Sequence, residues 1–433
     1  MIARLGIVVA AVVLVATGLI VALREPGGTI DAAPTTASPT TTTEAATTTV
    51  PTTTVTTPPT TTTTTTTPPP QPEPIPSSPL PPSPPPAPSL PDAFDGVGVV
   101  VAAAGGVDLA SAPGGEPFTT AREGLVFAGR GISVDREWVR VFHMCDGVAW
   151  ARTDQLAAQL PASDTPVGAG FSFADAVLVI DPGHGGPGNI GGVSPDGLLL
   201  EKEVNLLIAN RVRDLLRKPH TIDWATGAIL AGDTIPAAGT VILTRVGAGT
   251  AGDYEAGLDF RAAVANAANA NAMVAIHNNA GWEIDTQFPG SDVYYQSQAS
   301  VYEPSRRLAT LLVEEFRRGF AGFEADWVGT FLVGAKSRLS PRDGVSQYYG
   351  VLKAATVPTV IAEGAYIANP SEATLLRTPE FQHAYAAAVY RALVRFITTD
   401  EPGGAPSYDP EVWAGGAGRG AARPECVIPT QGS

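Results

Sequence analysis

Between about Ala174 and Thr399 the chain alternates short apolar runs with stretches whose apolar residues recur at helical spacing, which restricts the fold more than any other feature. "VLVI" at 177–180, "TVILTR", "MVAI" at 273–276 and "VPTVIAEGAY" read as strands, the first a run of four branched or bulky apolar residues buried on both faces. "SDVYYQS" reads as another. Between them, "EKEVNLLIANRVRDLL" places Val204, Leu207, Ile208, Val212, Leu215 and Leu216 at helical intervals. "FRAAVANAANANA" is alanine-rich and helical, "SRRLATLLVEEFRRGF" is amphipathic, and "PEFQHAYAAAVYRALVRFI" closes the region as a helix. Alternation of this kind predicts an open α/β sheet with helices on both faces. In such sheets chemistry gathers outside the C-terminal ends of the strands.

Three residues able to bind metal or move protons fall at that edge. Pro182 and Gly183 end the first strand, and His184 stands at its mouth among small neighbours in "IDPGHGG". His277 follows the strand 273–276 in "VAIHNNA", and Glu363 follows the strand 359–362. Glu201 opens the helix after the loop that leaves His184 and can face the same edge. Two histidines and a carboxylate form a common catalytic zinc set with a fourth position left for water. A further carboxylate then serves as general base. Each residue alone has a plainer explanation: a turn, a backbone cap, or an acid placed for the helix dipole. Glu363 is the hardest to explain that way, since an acid after "VPTVIA" has no reason to face solvent. Of the other histidines, His220 reads as part of a polar loop and His383 as a helix residue, both at the surface, and His143 reads as structural.

The rest of the chain is organised differently. Residues 5–23 form an uncharged apolar run between Arg4 and Arg24, long enough to cross a bilayer. A cleaved signal peptide would have a shorter apolar region and a nearby small-residue cleavage site, so residues 1–26 are expected to remain as a membrane anchor of an exported, extracytoplasmic protein. Residues 27–92 are mostly threonine and proline, too polar to form a core. At about 3.1 Å per residue in polyproline II they read as a stalk reaching on the order of 200 Å. A net charge of −15 excludes nucleic acid as an expected partner. The only two cysteines, Cys145 and Cys426, lack zinc-motif spacing and are expected to pair in an oxidising compartment. Residues 93–160 show short apolar segments between glycine-rich turns, the rhythm of a small all-β domain. In it "EWVRVFHMCDGVAWA" reads as a hairpin turning near Asp146-Gly147. Its order of tryptophan-led strand, Asp-Gly turn and aromatic strand resembles bacterial SH3-like domains.

Residues 176–398 resemble the zinc-dependent N-acetylmuramoyl-L-alanine amidases of the bacterial cell wall. The likeness rests on ordered motifs: "IDPGHGG", Glu201 in "LLLEKEVNLLIA", Arg245 in "ILTR", Arg261 to Asn266, His277 in "HNNA", and "EGAYIANPSEATLL". It implies a mixed sheet flanked by helices over a catalytic domain at 172–400; residues 401–433, glycine-rich in composition, are expected to form a flexible tail. The likeness also implies Zn2+ as cofactor, His184, Glu201 and His277 as its ligands, and Glu363 as the catalytic carboxylate. The partners implied are peptidoglycan and, through the N-terminal helix, the membrane, with the chain acting as a monomer. Two departures stand out: the segment between Leu216 and Val241 is long, and the aspartate expected soon after Arg245 is delayed to Asp253. A zinc peptidase acting on stem peptides, or a wall-binding protein with an inactive amidase fold, are the alternatives.

Overall fold

The computed structural model describes residues 90–162, 164–246, 254–280, 284–285, 290–329, 333–414 and 426–431. The expected anchor (1–26), nearly all of the expected stalk (27–92) and Asp253 lie outside the described residues. Among the described residues no helix is long and apolar enough to cross a membrane.

The first strands are β1 (Val97–Ala102), β2 (Val107–Ala110), β3 (Pro117–Ala121), β4 (Val126–Ile132), β5 (Trp138–His143), β6 (Gly147–Arg152) and β7 (Leu156–Gln159). They form one antiparallel sheet in the order β3-β2-β6-β5-β4-β1-β7. The expected hairpin is β5–β6, with His143 opposite Gly147. Asp146 makes the turn with a left-handed backbone, φ 53°, which aspartate tolerates better than most residues. His143 is buried, its Nδ1 accepting from the Cys145 N–H at 3.3 Å, as expected of a structural histidine.

The larger region runs β8 (Val177–Pro182), α1 (Glu201–Leu216), β9 (His220–Asp223), β10 (Ala228–Ala231), β11 (Thr240–Leu243), α2 (Leu258–Ala267), β12 (Ala272–Asn279), β13 (Ile284–Asp285) and β14 (Asp292–Tyr295). It continues with α3 (Tyr302–Phe320), β15 (Val328–Gly329), β16 (Ala335–Lys336), β17 (Arg338–Leu339), α4 (Gly350–Ala354) and β18 (Thr359–Tyr366). Last come α5 (Pro370–Leu376), α6 (Pro379–Thr398) and β19 (Glu411–Val412). The main sheet has the order β11-β8-β12-β18-β14-β16. Its first four strands are parallel, β14 runs against β18, and β16 follows β14. The sheet is therefore mixed.

Side chains alternate between its faces. Leu178, Ile180, Val274, Ile276, Val360 and Ala362 pack with residues of α1, α3 and α6. Val177, Val179, Met273, Ala275 and Ile361 pack with α2, α4 and the small β domain, whose core residues Val100, Phe127 and Val141 join Phe260 and Val264 of α2 in one cluster.

Three sequence expectations need correction. Leu207 is 43% exposed, and Leu206 takes the inward place. The helix is turned so that Glu201 and Asn205, one turn apart, face the strand ends. The long segment after Leu216 folds as the β9–β10 hairpin, so His220 is a strand residue packed edge-on to Tyr390 at 5.5 Å rather than part of a surface loop. His383 is exposed, as expected. Residues 401–414, expected within a flexible tail, lie along the sheet. Tyr408 N–H donates to Ala335 O at 2.9 Å, β19 pairs with β17, and Trp413 N–H donates to Leu339 O at 3.0 Å. The expected disulfide is present: Cys145 and Cys426 are bonded, with Cα atoms 5.6 Å apart.

Candidate active site

β8 ends in Asp181-Pro182, and His184 follows with a left-handed backbone, φ 60°, uncommon for a residue with a side chain. Such a conformation persists only where its surroundings enforce it. Here two fully buried guanidiniums do so. Arg261 of α2 pairs with Asp181 at 2.5 Å and donates to Pro182 O at 2.7 Å and His184 O at 2.6 Å. Arg245 donates to Gly183 O at 3.2 Å and Lys202 O at 2.9 Å, joining the loop to the start of α1.

Glu201 is the first residue of α1 and is 3% exposed. Its carboxylate accepts from the Gly192 N–H (2.6 Å), the Asn278 N–H (3.0 Å) and Asn205 Nδ2 (3.2 Å). It lies 3.1 Å from His184 Nε2 through one oxygen and 3.1 Å from His277 Nδ1 through the other. His184 Nδ1 sits 2.7 Å from Asn189 Oδ1. Donation there leaves the lone pair on Nε2, the tautomer a metal ligand needs.

Electrostatics follow from that packing. Burial opposes the charge of Glu201, yet the two imidazoles hold its carboxyl well below the usual range. Burial likewise opposes protonation of His184, but the Glu201 carboxylate outweighs it and raises the pKa. Burial keeps His277 below its ordinary value. The ligand atoms of His184, Glu201 and His277 all lie within 4.8 Å of one another. Two neutral-capable imidazoles sharing one buried carboxylate fit a divalent cation of borderline softness.

Glu363 lies directly opposite His277 in the parallel β12–β18 register. The Tyr385 hydroxyl, from α6, stands 2.9 Å from both His277 O and Ala362 O and accepts from the Gly364 N–H at 3.1 Å, tying the two strand ends together. A Cβ on Gly364 would sit 2.2 Å from the Tyr385 ring, so the residue after Glu363 has to be glycine. Glu363 Oε2 is buried and has no hydrogen-bond partner among the described residues. Burial first, then the charges of Glu201 and Asp292, push its pKa well above the usual carboxylate value, with Arg338 opposing.

The four residues singled out in the sequence thus meet at one sheet edge. Asn205, Asn278, Asp181, Asp292 and Tyr385 were not singled out. Asn205 stands one turn after Glu201, a spacing open to reading. Asp292 and Tyr385 carry no local signal, because tertiary pairing alone brings them to Glu363.

The sequence profile of the N-acetylmuramoyl-L-alanine amidases (Amidase_3) matches residues 178–395. The chain is 29% identical over 224 residues to a germination-specific N-acetylmuramoyl-L-alanine amidase of Bacillus subtilis, covering 51% of this chain and 80% of that protein. It is 26% identical over 251 residues to the N-acetylmuramoyl-L-alanine amidase Rv3717 of Mycobacterium tuberculosis, covering 56% of this chain and 95% of the relative. A solved N-acetylmuramoyl-L-alanine amidase from Clostridium difficile 630 aligns with 51% of this chain and 96% of its own, at 23% identity and a TM-score of 0.38. The motifs, the site and the profile that spans half the sequence all agree: the chain belongs to the N-acetylmuramoyl-L-alanine amidase family.

Proposed function

We propose that the protein is a zinc-dependent amidase that cleaves the bond between the lactyl group of N-acetylmuramic acid and L-alanine in peptidoglycan. The observation that carries this reading is the cluster of His184, Glu201 and His277 with Glu363 in register beside it. The two histidines and Glu201 would hold the ion. Bound there, zinc supplies Lewis acidity, polarising a carbonyl and bringing the pKa of a water molecule towards 7. Glu363 takes the water's proton and then delivers it to the departing alanine nitrogen, a poor leaving group until protonated. Burial raises its pKa, which suits a group that takes up a proton and then gives it away. Asn189 bonds the His184 ring, while Arg261 and Tyr385 hold the backbone at His184, at His277 and on both sides of Glu363, so the strand ends are set before substrate arrives.

The same reading takes residues 5–23 as a membrane anchor, residues 27–92 as a stalk, and the small β domain as SH3-like, placing catalysis outside the cytoplasm. The apolar run, the threonine–proline composition and the Cys145–Cys426 disulfide support this arrangement.

Glu363→Gln separates metal binding from chemistry. Elemental analysis should find wild-type zinc content in this variant, while peptide release from purified wall falls about 10²–10⁴-fold. His184→Ala or His277→Ala should lower zinc and activity together. Mass spectrometry of the released material should show free peptides with an intact N-terminal alanine; shortened peptides would mean a peptidase. Loss of zinc from the glutamine variant would make Glu363 a ligand and overturn its assigned role.

A further inference from the structure

Asn205 is a fully buried amide whose bonds reach all three elements of the histidine–glutamate cluster. Its Nδ2 donates to Glu201 Oε1 at 3.2 Å and to Gly183 O, one residue before His184, at 3.3 Å. Its Oδ1 accepts at 2.9 Å from Nδ2 of Asn278, one residue after His277. A carboxylate and a carbonyl only accept, so the amide nitrogen has to face Glu201 and Gly183, and the amide oxygen has to face Asn278. The neighbours therefore fix which way the amide points. An amide buried in this way is unfavourable unless its hydrogen bonds are made.

Counting lone pairs shows what this does to Glu201. Each carboxylate oxygen offers two. Oε1 accepts from the Asn278 N–H at 3.0 Å and from Asn205 Nδ2, which uses both. Oε2 accepts from the Gly192 N–H at 2.6 Å and keeps one. His277 Nδ1 stands 3.1 Å from Oε1 and His184 Nε2 stands 3.1 Å from Oε2, so nearness to the imidazoles does not choose between the oxygens. The fixed donors do. Of those three donors, two are backbone groups and Asn205 alone is a side chain.

We propose that Asn205 is a positioning residue: it occupies Glu201 Oε1, so that Glu201 meets a metal ion through Oε2 alone. The proposal rests on the zinc reading above. Hydrogen bonds from outside a metal's ligands commonly orient them in this manner. A carboxylate that offers one oxygen leaves an ion with three protein ligands and an open position for water, the arrangement of catalytic zinc sites. One that offers both oxygens fills a further position and narrows that opening.

The test strips full-length protein of metal and reloads it separately with zinc and with cobalt(II), whose visible bands weaken severalfold on going from four ligands to five. Diffraction from zinc-loaded wild type should place Glu201 Oε2 at about 2.0–2.2 Å from the ion, with Oε1 still bonded to Asn205 and to the Asn278 N–H. Cobalt-loaded wild type should show intense four-coordinate bands. Asn205→Leu, similar in size but without a donor, frees Oε1 to turn to the ion, and its bands should weaken severalfold per bound cobalt. A merely structural role would lower stability or metal content and leave the bands per bound cobalt unchanged, which overturns the proposal. Zinc-loaded wild type with both Glu201 oxygens on the ion, or Oε1 alone, also overturns it. That arm needs no variant and decides the matter if Asn205→Leu does not fold. Wild type that takes up no zinc refutes the zinc reading and this proposal together, whereas a filled site with a two-oxygen Glu201 refutes this proposal alone.

Discussion

Helix α2 begins without a cap of its own: Gly257 stands at the N-cap with no side chain, and the small β domain supplies the missing acceptor. Asp146 Oδ1 accepts from the Phe260 N–H, the third residue of the helix, at 2.8 Å, while the Gly257 N–H donates to Met144 O at 2.7 Å. A Cβ on Gly257 would fall 2.1 Å from the Asp146 carboxylate, so the approach leaves no room for a larger residue. Replacing Asp146 by alanine removes a cap contribution of about 1 kcal/mol. It also removes a negative charge at a helix N-terminus, roughly 0.3–1 kcal/mol, and leaves alanine in a left-handed conformation that aspartate tolerates better. Together these give a loss of about 2 kcal/mol. Asp146→Asn keeps the acceptor and the backbone tolerance, so only the charge contribution of roughly 0.3–1 kcal/mol should disappear. Urea denaturation at constant m-value measures both. Because α2 carries Arg261 one residue further on, zinc affinity measured against a competing chelator should also fall in Asp146→Ala, by less than the roughly 10–100-fold typical of groups bonded directly to a ligand. Equal stability of Asp146→Ala and wild type, or equal loss in the alanine and asparagine variants, refutes the capping argument.

Arg261→Met leaves Asp181 buried without its partner and frees the carbonyls of Pro182 and His184. It should destabilise by about 3–5 kcal/mol, and chelator competition should show about 10–100-fold weaker zinc binding. Cys426→Ser opens a loop whose ends are 281 residues apart, for which chain entropy sets an upper limit of about 5–6 kcal/mol. A drop in melting temperature reproduced by reducing the wild type is expected, whereas two free thiols in native, unreduced protein would refute the pairing.

The alternation of strands and helices was legible because its apolar runs serve two buried faces, and the convergence of His184, His277 and Glu363 because they stand at strand ends, where the period breaks. His184 and His277 could each be placed from a run of four residues. Leu207 was misread because periodicity alone cannot tell which of two adjacent leucines faces the sheet. The buried Glu201 and Asn205 set that rotation instead. His220 was misread because "HTIDWATGAILA" alternates weakly and its partner strand lies within the same polar stretch. The tail residues 406–413 were read from composition as flexible, but their order comes from pairing with β16 and β17, two-residue strands that leave little trace in a sequence.

Composition also separates two domains that packing joins. The small β domain differs in texture from the region after it, yet its core residues continue into the apolar face of α2 as one cluster. Where two domains merely share a linker, their facing surfaces are expected to be more polar and free to shift. Here the contact holds a shared apolar core, a helix cap donated by Asp146, and the Cys145–Cys426 bond on the same turn. Cys426 also brings residues 426–431 back against the β domain, where Arg122 N–H donates to Pro429 O at 2.9 Å and Ile428 is buried. From this turn the structural path is short: Asp146 to the start of α2, Arg261 to the carbonyl of His184, and His184 to Glu201. The position of His184, a ligand in the proposed metal site, thus depends on a hairpin that lies, in sequence, before the amidase region begins.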